Sequence, residues 1–402
     1  NGKINRRNLI NKQKAIFLDR DGVINKEVSY LCRPEQLELL DGSALAVKKI
    51  NDSDYLAIVV TNQSAVARGL CSEEDIAEVN KKLDMLLGEN HAFLDNIYYC
   101  PHHPDKGFEG ENKQYKIDCE CRKPKTGMIG QAQRDFNIDL KKSFIIGDTT
   151  SDVMTGINAG IKTVLVRTGY AGKDRKYDCR PDFIFENLEE AVDFIIDDYE
   201  KLSAEINHIT FPLQKKSKKP FVISIGGLSR SGKSTIAGIM SIVLANNGIR
   251  SITLGLDNWL IDLNNREGWM SVRERYDYHK IEEDIRSFLA GNEIFAYQYD
   301  AETTQKRVDT EGIIFDNYEA VIIDGAVSLD IAYLREISSL KIFVDIDEAL
   351  REKRFNAFYS YKGLTGNEIT ELYMARQKDE YPIIVESENY ADHVFAAKGG
   401  EQ

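Results

Sequence analysis

Four short apolar runs in the first half of this chain all end the same way. "KAIFLDRDG", "LAIVVTNQS", "SFIIGDTTSD" and "KTVLVRTG" each string together a few large apolar residues and then break into Asp, Thr, Asn or Gly. Between them lie stretches with apolar residues at helical spacing, such as "SEEDIAEVNKKLDMLL" and "TGMIGQAQRDFNI". Short runs without polar alternation fit strands covered on both faces, and strand–helix alternation predicts a parallel sheet between helices. In such an α/β sheet the carboxyl ends of the strands share one edge, where ligands bind. The polar residues that close each strand are therefore the first candidates for chemistry.

The alternation dissolves in "YEKLSAEINHITFPLQKKSKKP" and resumes at "PFVISIGG". The Lys/Ser/Pro-rich end of that stretch reads as a linker. We therefore expect a doubly wound domain over 14–198, a linker over 199–219 and a second doubly wound domain over 220–402. A length of 402 residues suits two such cores. The halves share no motif, so the pattern is a fusion rather than a duplication.

Most of the formal charge of -13 falls in the second half, which argues against a broad nucleic-acid surface. No run of about 18 apolar residues is present, so no membrane span is expected. The start, "NGKINRRNLINKQ", is polar and basic without an apolar core, so no secretory signal is expected either. Of six cysteines, Cys32, Cys71 and Cys179 are scattered and three crowd one loop. That is poor arithmetic for disulfides and fits a reducing cytoplasm.

In "FLDRDGV", Asp19 and Asp21 stand two apart at a strand end, where residues i and i+2 share a face. One carboxylate can attack while the other shuttles a proton. Paired carboxylates repel, so a divalent cation is the natural neutraliser, and Asp148 and Asp152 of "GDTTSD" add hard oxygen ligands. Standing alone, D-x-D-G reads equally well as a polar loop. It is accompanied by Thr61 and Asn62, able to bind phosphate oxygens, and by Arg122 and Lys123 of "CRKP".

That ordered set resembles the haloacid dehalogenase superfamily of aspartate-nucleophile phosphatases over roughly residues 14–198. The resemblance implies that Asp19 takes the phosphoryl group and Asp21 is the general acid/base. It implies that Thr61 and Lys123 hold the phosphate, and that Asp19, Asp148 and the Asp21 main-chain carbonyl bind Mg²⁺.

The stretch "YYCPHHPDKGFEGENKQYKIDCECRKP" adds C-x-H, a gap of 16 residues and C-x-C: Cys100, His102, Cys119 and Cys121. Three thiolates and one imidazole make a closed tetrahedral set for structural Zn²⁺, with His103 the competing histidine. The bland alternative is a loop with reduced surface cysteines. With this clamp, "AIFLDRDGVIN", "VVTNQSAVARG", "YYCPHHP" and "CRKPKTGM" resemble the D-glycero-D-manno-heptose-1,7-bisphosphate phosphatases and the related histidinol-phosphate phosphatases. In that group a zinc loop shapes the substrate entrance, and here it would aim Arg122 and Lys123. Two positions depart from the group: Ala65 where Gly is usual, and Thr149 where Lys often follows the motif aspartate.

The second half opens on "FVISIGGLSRSGKST", an apolar strand entering G-x-x-x-x-G-K-S from Gly227 to Ser234. Glycines let backbone N–H groups wrap phosphates at a helix N-terminus. The cradle would comprise Gly227, Ser229, Arg230, Ser231, Gly232, Lys233, Ser234 and Thr235, with Lys233 on the β- and γ-phosphates and Ser234 on Mg²⁺. Two further strands end in Asp257 and Asp324; one suits an acceptor base and the other the Mg²⁺ shell. "DEALREKRFNAFYSYKG" carries Arg351 and Arg354 with Lys362 beyond, a candidate lid over ATP. The arrangement resembles uridine kinase and phosphoribulokinase-like P-loop kinases over about 220–396. That likeness implies Asp257 as base, Asp324 as metal ligand, and Tyr276, Asp277 and His279 as acceptor-pocket candidates.

The expected protein is a cytoplasmic bifunctional enzyme. One domain removes phosphate from a small phosphorylated sugar with Mg²⁺, and the other transfers phosphate from ATP to a small molecule. The alternative is a polynucleotide 5′-kinase/3′-phosphatase, disfavoured by the zinc-loop type and the acidic second half. An ATP-sensing scaffold is disfavoured by the intact Asp19, Asp21, Lys233 and Ser234.

Overall fold

The computed structural model describes residues 12–397 except 108, 217–219, 262–264, 266–269, 296–297, 301–304, 308–311 and 314–317. The chain divides into two compact units, Asn1–Glu200 and Lys201–Gln402. Each is built on a parallel sheet, as the alternating pattern predicts.

In the first unit the strands are β1 (Lys14–Leu18), β2 (Tyr55–Asn62), β3 (Asn96–Cys100), β4 (Phe144–Gly147), β5 (Lys162–Val166) and β6 (Phe183–Phe185). Their order is β3-β2-β1-β4-β5-β6, all neighbours parallel. The chain runs outward from β1 in one direction and then from β4 in the other. The crevice between β1 and β4 is therefore the switch point, where an open sheet leaves room for a ligand. Asp19 follows β1 there and Asp148 follows β4, while Thr61 and Asn62 close β2 and Cys100 closes β3. Ala15 to Leu18 are wholly buried, which explains why β1 reads as an unbroken apolar run.

The helix Glu73–Gly88 starts at Ser72, whose hydroxyl accepts from the Asp75 N–H while the Asp75 carboxylate returns to the Ser72 N–H. This reciprocal cap satisfies two otherwise orphaned donors. Ile76, Val79, Leu83 and Leu87 form its buried stripe, each contributing about 1.5–3 kcal/mol by burial.

The second unit contains β7 (Phe221–Gly226), β8 (Ser251–Gly255), β11 (Ala320–Asp324), β12 (Ser338–Ile346) and β13 (His393–Ala397), ordered β13-β12-β7-β11-β8. The segments β9 (Gln298–Asp300) and β10 (Gln305–Arg307) pair separately and antiparallel. β7 is buried along its whole length at the sheet centre and leads into the helix Lys233–Asn246.

The stretch expected as a linker, 199–219, is instead helical over Tyr199–Lys216. Tyr199, Ile206 and Thr210 are buried, seven and then four positions apart, so one helical face has a partner. The Tyr199 ring meets Phe144, Phe183 and Phe194 at 5.0–6.1 Å. The polar composition made the segment look like a tether, and its few buried positions fall on one helical face.

Candidate active sites

At the β1–β4 crevice Asp19, Asp148 and Asp152 bring carboxylate oxygens within 4.8 Å of one another. Lys123 joins them, its Nζ 2.9 Å from Asp19 Oδ1, 2.5 Å from Asp152 Oδ1 and 2.9 Å from the Val60 carbonyl. Burial pushes the Asp19 carboxyl up to about 7; Lys123 opposes this, and Asp152 and Asp21 add to it. Burial, then Asp19 and Asp152, pushes Asp148 up to about 9. For Lys123 burial works downward, but the two carboxylates outweigh it and hold the ammonium above its ordinary range. One ammonium among three carboxylates leaves the pocket short of positive charge. Asp148 Oδ2 accepts from the Tyr170 N–H at 2.7 Å, while Oδ1 is buried with no hydrogen-bond donor. An orphaned carboxylate oxygen facing two further carboxylates fits a hard divalent cation. The backbone makes room for this: a Cβ on Gly22, at φ +80°, would stand 2.3 Å from Asp148 Oδ2.

Asp21 belongs to a different set of contacts. Its Oδ1 accepts from Asn25 Nδ2 at 2.8 Å and its Oδ2 from Gln63 Nε2 at 2.9 Å. The buried Arg20 guanidinium meets both oxygens, with Nη2 3.0 Å from Oδ2, and gives Nη1 to Asn80 Oδ1 at 3.0 Å. Burial would raise the Asp21 carboxyl, but Arg20 first, then Asn25 and Gln63, bring it below its ordinary range. The Asp21 side chain is thus outside the three-carboxylate group, leaving its main-chain carbonyl as the atom expected to face a cation. Thr61 is buried beside it, its Oγ1 accepting from Gln63 Nε2 at 2.9 Å.

Asn62 departs from expectation. Its Oδ1 accepts from the Lys123 N–H at 3.0 Å and its Nδ2 donates to the Lys123 carbonyl at 3.3 Å. The oxygen and one N–H of the amide are engaged by the main chain of Lys123, so Asn62 positions that lysine.

Beyond β3, Cys100, His102, Cys119 and Cys121 converge with all donor atoms within 4.8 Å. The Cys121 Sγ lies 3.0 Å from Cys100 Sγ, 3.2 Å from Cys119 Sγ and 3.3 Å from His102 Nδ1. Hydrogen bonding from Cys100 first, then from Cys119 and His102 against the effect of burial, pulls the Cys121 thiol down to about 5. The same contact pushes the Cys100 thiol up, so the two thiols share one proton between them where they stand in contact. His103 is turned elsewhere, its Nε2 3.4 Å from Arg68 Nη2 and its Nδ1 accepting from the Asp105 N–H. Tyr99 and Tyr115 both donate to Glu73 at 2.6 Å, tying this loop to the helix Glu73–Gly88. Arg122 Nη1 donates to the His102 carbonyl at 3.2 Å, so the loop and the segment that carries Lys123 are physically linked.

In the second unit the loop after β7 curls tightly. Gly227 sits at φ +140°, and a Cβ there would lie 2.4 Å from the Val344 carbonyl oxygen, so only glycine fits. Lys233 Nζ donates back to the Leu228 carbonyl at 2.8 Å; desolvation pushes its ammonium down, with Asp324 and Asp257 opposing. Ser234 Oγ donates to Asp324 Oδ2 at 2.7 Å, joining the two residues expected to share a cation. The hydroxyls of Ser229 and Ser231 are buried without hydrogen-bond partners, donors suited to a phosphate chain, and the equally unpartnered Oδ1 of Asp324 suits a cation beside it. Arg354 Nη1 comes within 3.7 Å of the Cβ position of Gly232, and the Arg230 guanidinium stacks on Phe358 with 3.2 Å to the ring centroid. Asp257 lies within electrostatic reach of this loop and accepts from the buried Tyr276 hydroxyl at 2.8 Å.

One expectation fails here, that Arg351 faces ATP, and two acceptor-pocket candidates are placed on the helix Tyr278–Leu289 or at its start. Arg351 is 1% exposed and holds Glu348 bidentately at 2.8 and 2.9 Å, under the Tyr373 ring. It shares the inner stripe of the helix Glu348–Tyr361 with Phe355 and Phe358, so it stabilises that helix and does not face ATP. Asp277 caps the helix Tyr278–Leu289 by accepting from the Lys280 N–H. His279 is exposed on that helix.

A HAD-hydrolase-like family model matches residues 120–191. A D-glycero-β-D-manno-heptose-1,7-bisphosphate 7-phosphatase of Haemophilus ducreyi is 40% identical over 185 residues, 46% of this chain and 98% of the relative. The chain belongs to the haloacid dehalogenase-like phosphatases. A solved structure of the D,D-heptose 1,7-bisphosphate phosphatase from B. bronchiseptica, with magnesium and phosphate, is 29% identical, with a TM-score of 0.40. It covers 48% of this chain and 99% of that one. A possible uridine kinase from Bacillus stearothermophilus is 20% identical, covering 48% of this chain and 99% of that chain, with a TM-score of 0.34.

Within the phosphatase unit, sequence reasoning passed over Arg20, Asn25, Gln63 and Asn80. Each is an amide or a guanidinium that acts only through a partner. Gln63 was visible as the next residue of "TNQS", but nothing in the string says that it turns toward Asp21.

Proposed function

We propose that this chain is a cytoplasmic bifunctional enzyme. Its first unit is an Mg²⁺-dependent phosphatase for a small sugar bisphosphate such as heptose 1,7-bisphosphate, and its second is an ATP-dependent small-molecule kinase. The observation that carries the reading is the buried group of Asp19, Asp148, Asp152 and Lys123 at the switch point of the phosphatase sheet. Asp19 attacks phosphorus as the bond to the leaving oxygen breaks; Asp21, ionised beside Arg20 in the resting site, would take up a proton as the anionic substrate binds and pass it to that oxygen. Water then attacks the aspartyl phosphate, Asp21 takes the water proton, and Asp19 is restored. Lys123 and Thr61 hold phosphoryl oxygens through both steps. Mg²⁺ held by Asp19, Asp148 and the Asp21 carbonyl would neutralise charge on those oxygens.

A bisphosphate also suits the cations around the entrance. His103 is pushed down to about 4 by burial, then by Arg122 and Arg68, with Lys116 adding, so the ring stays neutral among positive neighbours. Such crowding of guanidinium groups favours a second anionic group on the substrate. In the second unit, Ser234 and Asp324 would hold Mg²⁺, Lys233 and Arg354 the triphosphate, and Asp257, steadied by Tyr276, the acceptor hydroxyl.

Phosphate release from heptose 1,7-bisphosphate, compared with a 3′-phosphorylated oligonucleotide, tests the substrate. The sugar is expected to win by about 10³-fold in kcat/KM, the scale that separates one enzyme's specific substrate from an unrelated one. A preference for the oligonucleotide would assign the protein to nucleic-acid end repair instead.

The cysteine–histidine set is proposed as a structural Zn²⁺ site, inert because all four positions are filled by protein. Elemental analysis of the purified protein should find zinc, and Cys119→Ser should lose it. The melting temperature of the phosphatase unit should then fall by about 10 °C. Unchanged zinc content in that variant would remove Cys119 from the site.

A further inference from the structure

We propose that Gln63 is a positioning residue that sets the hydroxyl direction of Thr61 and the placement of Asp21 together. The proposal rests on the phosphatase reading of those two residues. Gln63 is 4% exposed, and its one amide nitrogen donates to Asp21 Oδ2 and to Thr61 Oγ1, each at 2.9 Å. A primary amide has two N–H bonds about 120° apart, so both contacts are made at once and together fix the side chain. The consequence for Thr61 is specific. Because its oxygen accepts from Gln63, its own proton cannot point back along that line and is free to donate into the crevice. A phosphoryl oxygen accepts only, so this is the polarity that a phosphate site needs. The Thr61 hydroxyl would otherwise be free to rotate. For Asp21, Gln63 is the contact from the β2 side, where Arg20 and Asn25 act from its own loop. The residue thus ties the proton-transfer group, 42 positions away from it in sequence, to the phosphate-holding group two positions before it.

A double-mutant cycle with p-nitrophenyl phosphate tests this on the full-length protein. Thr61→Val should lower kcat/KM about 10²-fold, the scale for a lost donor to a developing anion. Gln63→Leu should lower it about tenfold on its own. In the Thr61→Val background, Gln63→Leu should cost only about threefold, because the hydroxyl that it orients is gone and only the Asp21 contact is left to lose. Gln63→Glu keeps size and shape but should lose more than Gln63→Leu. Its carboxylate would face Asp21 and would accept the Thr61 proton, turning the hydroxyl away from phosphate. Each variant is melted alongside to establish that it is folded, and Gln63→Glu carries the test if Gln63→Leu is not. Effects of Thr61→Val and Gln63→Leu that simply multiply would overturn the proposal, as would a Gln63→Glu variant with wild-type kcat/KM. If Thr61→Val itself changes nothing, the assignment of Thr61 to phosphate fails first, and Gln63 falls with it.

Discussion

Asp19→Asn will abolish phosphate release from every phosphomonoester the phosphatase unit accepts, by roughly 10³-fold or more, since the nucleophile acts as a unit with its partners. The variant isolates chemistry from folding. Asp19 is one of three carboxylates around a single ammonium, and burial with Asp152 and Asp21 already pushes it up to about 7. An amide of the same shape removes one repelling charge, while Lys123 keeps Asp152 as its partner at 2.5 Å. The melting temperature of the metal-free protein should therefore hold or rise while turnover disappears. ATP-dependent transfer by the second unit should continue at the wild-type rate. Residual phosphatase turnover within about tenfold of wild type would mean that another group attacks phosphorus.

Lys233→Met will do the converse. The lysine is the cation of the loop Gly227–Ser234 expected at the β- and γ-phosphates, and its Nζ now rests on the Leu228 carbonyl. A nucleotide would draw it off that carbonyl toward phosphate oxygens, a move that methionine cannot make. ATP-dependent phosphoryl transfer should fall about 10²–10³-fold, with phosphatase turnover unchanged. Titration with a fluorescent ATP analogue, followed by transfer assays over a panel of sugars and nucleosides, gives both readings on one preparation. Retained ATP-dependent transfer would remove Lys233 from the reaction. Loss of phosphatase turnover in the same variant would show that the two activities are not separable.

Much of this protein was legible in its residues alone, and the reason is locality. A strand buried on both faces has to be apolar throughout, so β1, β2, β4 and β7 announce themselves, and the residue after each one falls at the ligand edge. The loop Gly227–Ser234 is legible for the same reason, since a backbone wrapped around phosphate needs its glycines at set spacing. The donor set Cys100, His102, Cys119 and Cys121 was readable as chemistry that has few other uses. Choosing His102 over His103 rested on spacing, and the turn of His103 toward Arg68 agrees with that choice.

Only the tertiary structure decided what each polar side chain does with its hydrogen bonds. Asn62 and Gln63 are adjacent amides of one motif, yet one holds the main chain of Lys123, 61 residues away, and the other bridges Asp21 and Thr61. Arg351 and Arg354 stand three apart on one helix, yet one is sealed against Glu348 and the other lies beside Gly232. The segment Tyr199–Lys216 looked like a tether because its composition is polar, yet it is a helix with Tyr199, Ile206 and Thr210 buried on one face. Periodicity reports which face of an element is buried; it carries no information about the partner across a long loop. A hydrogen bond or an ion pair is an exchange between two groups, and the second is named only when the chain has closed on itself.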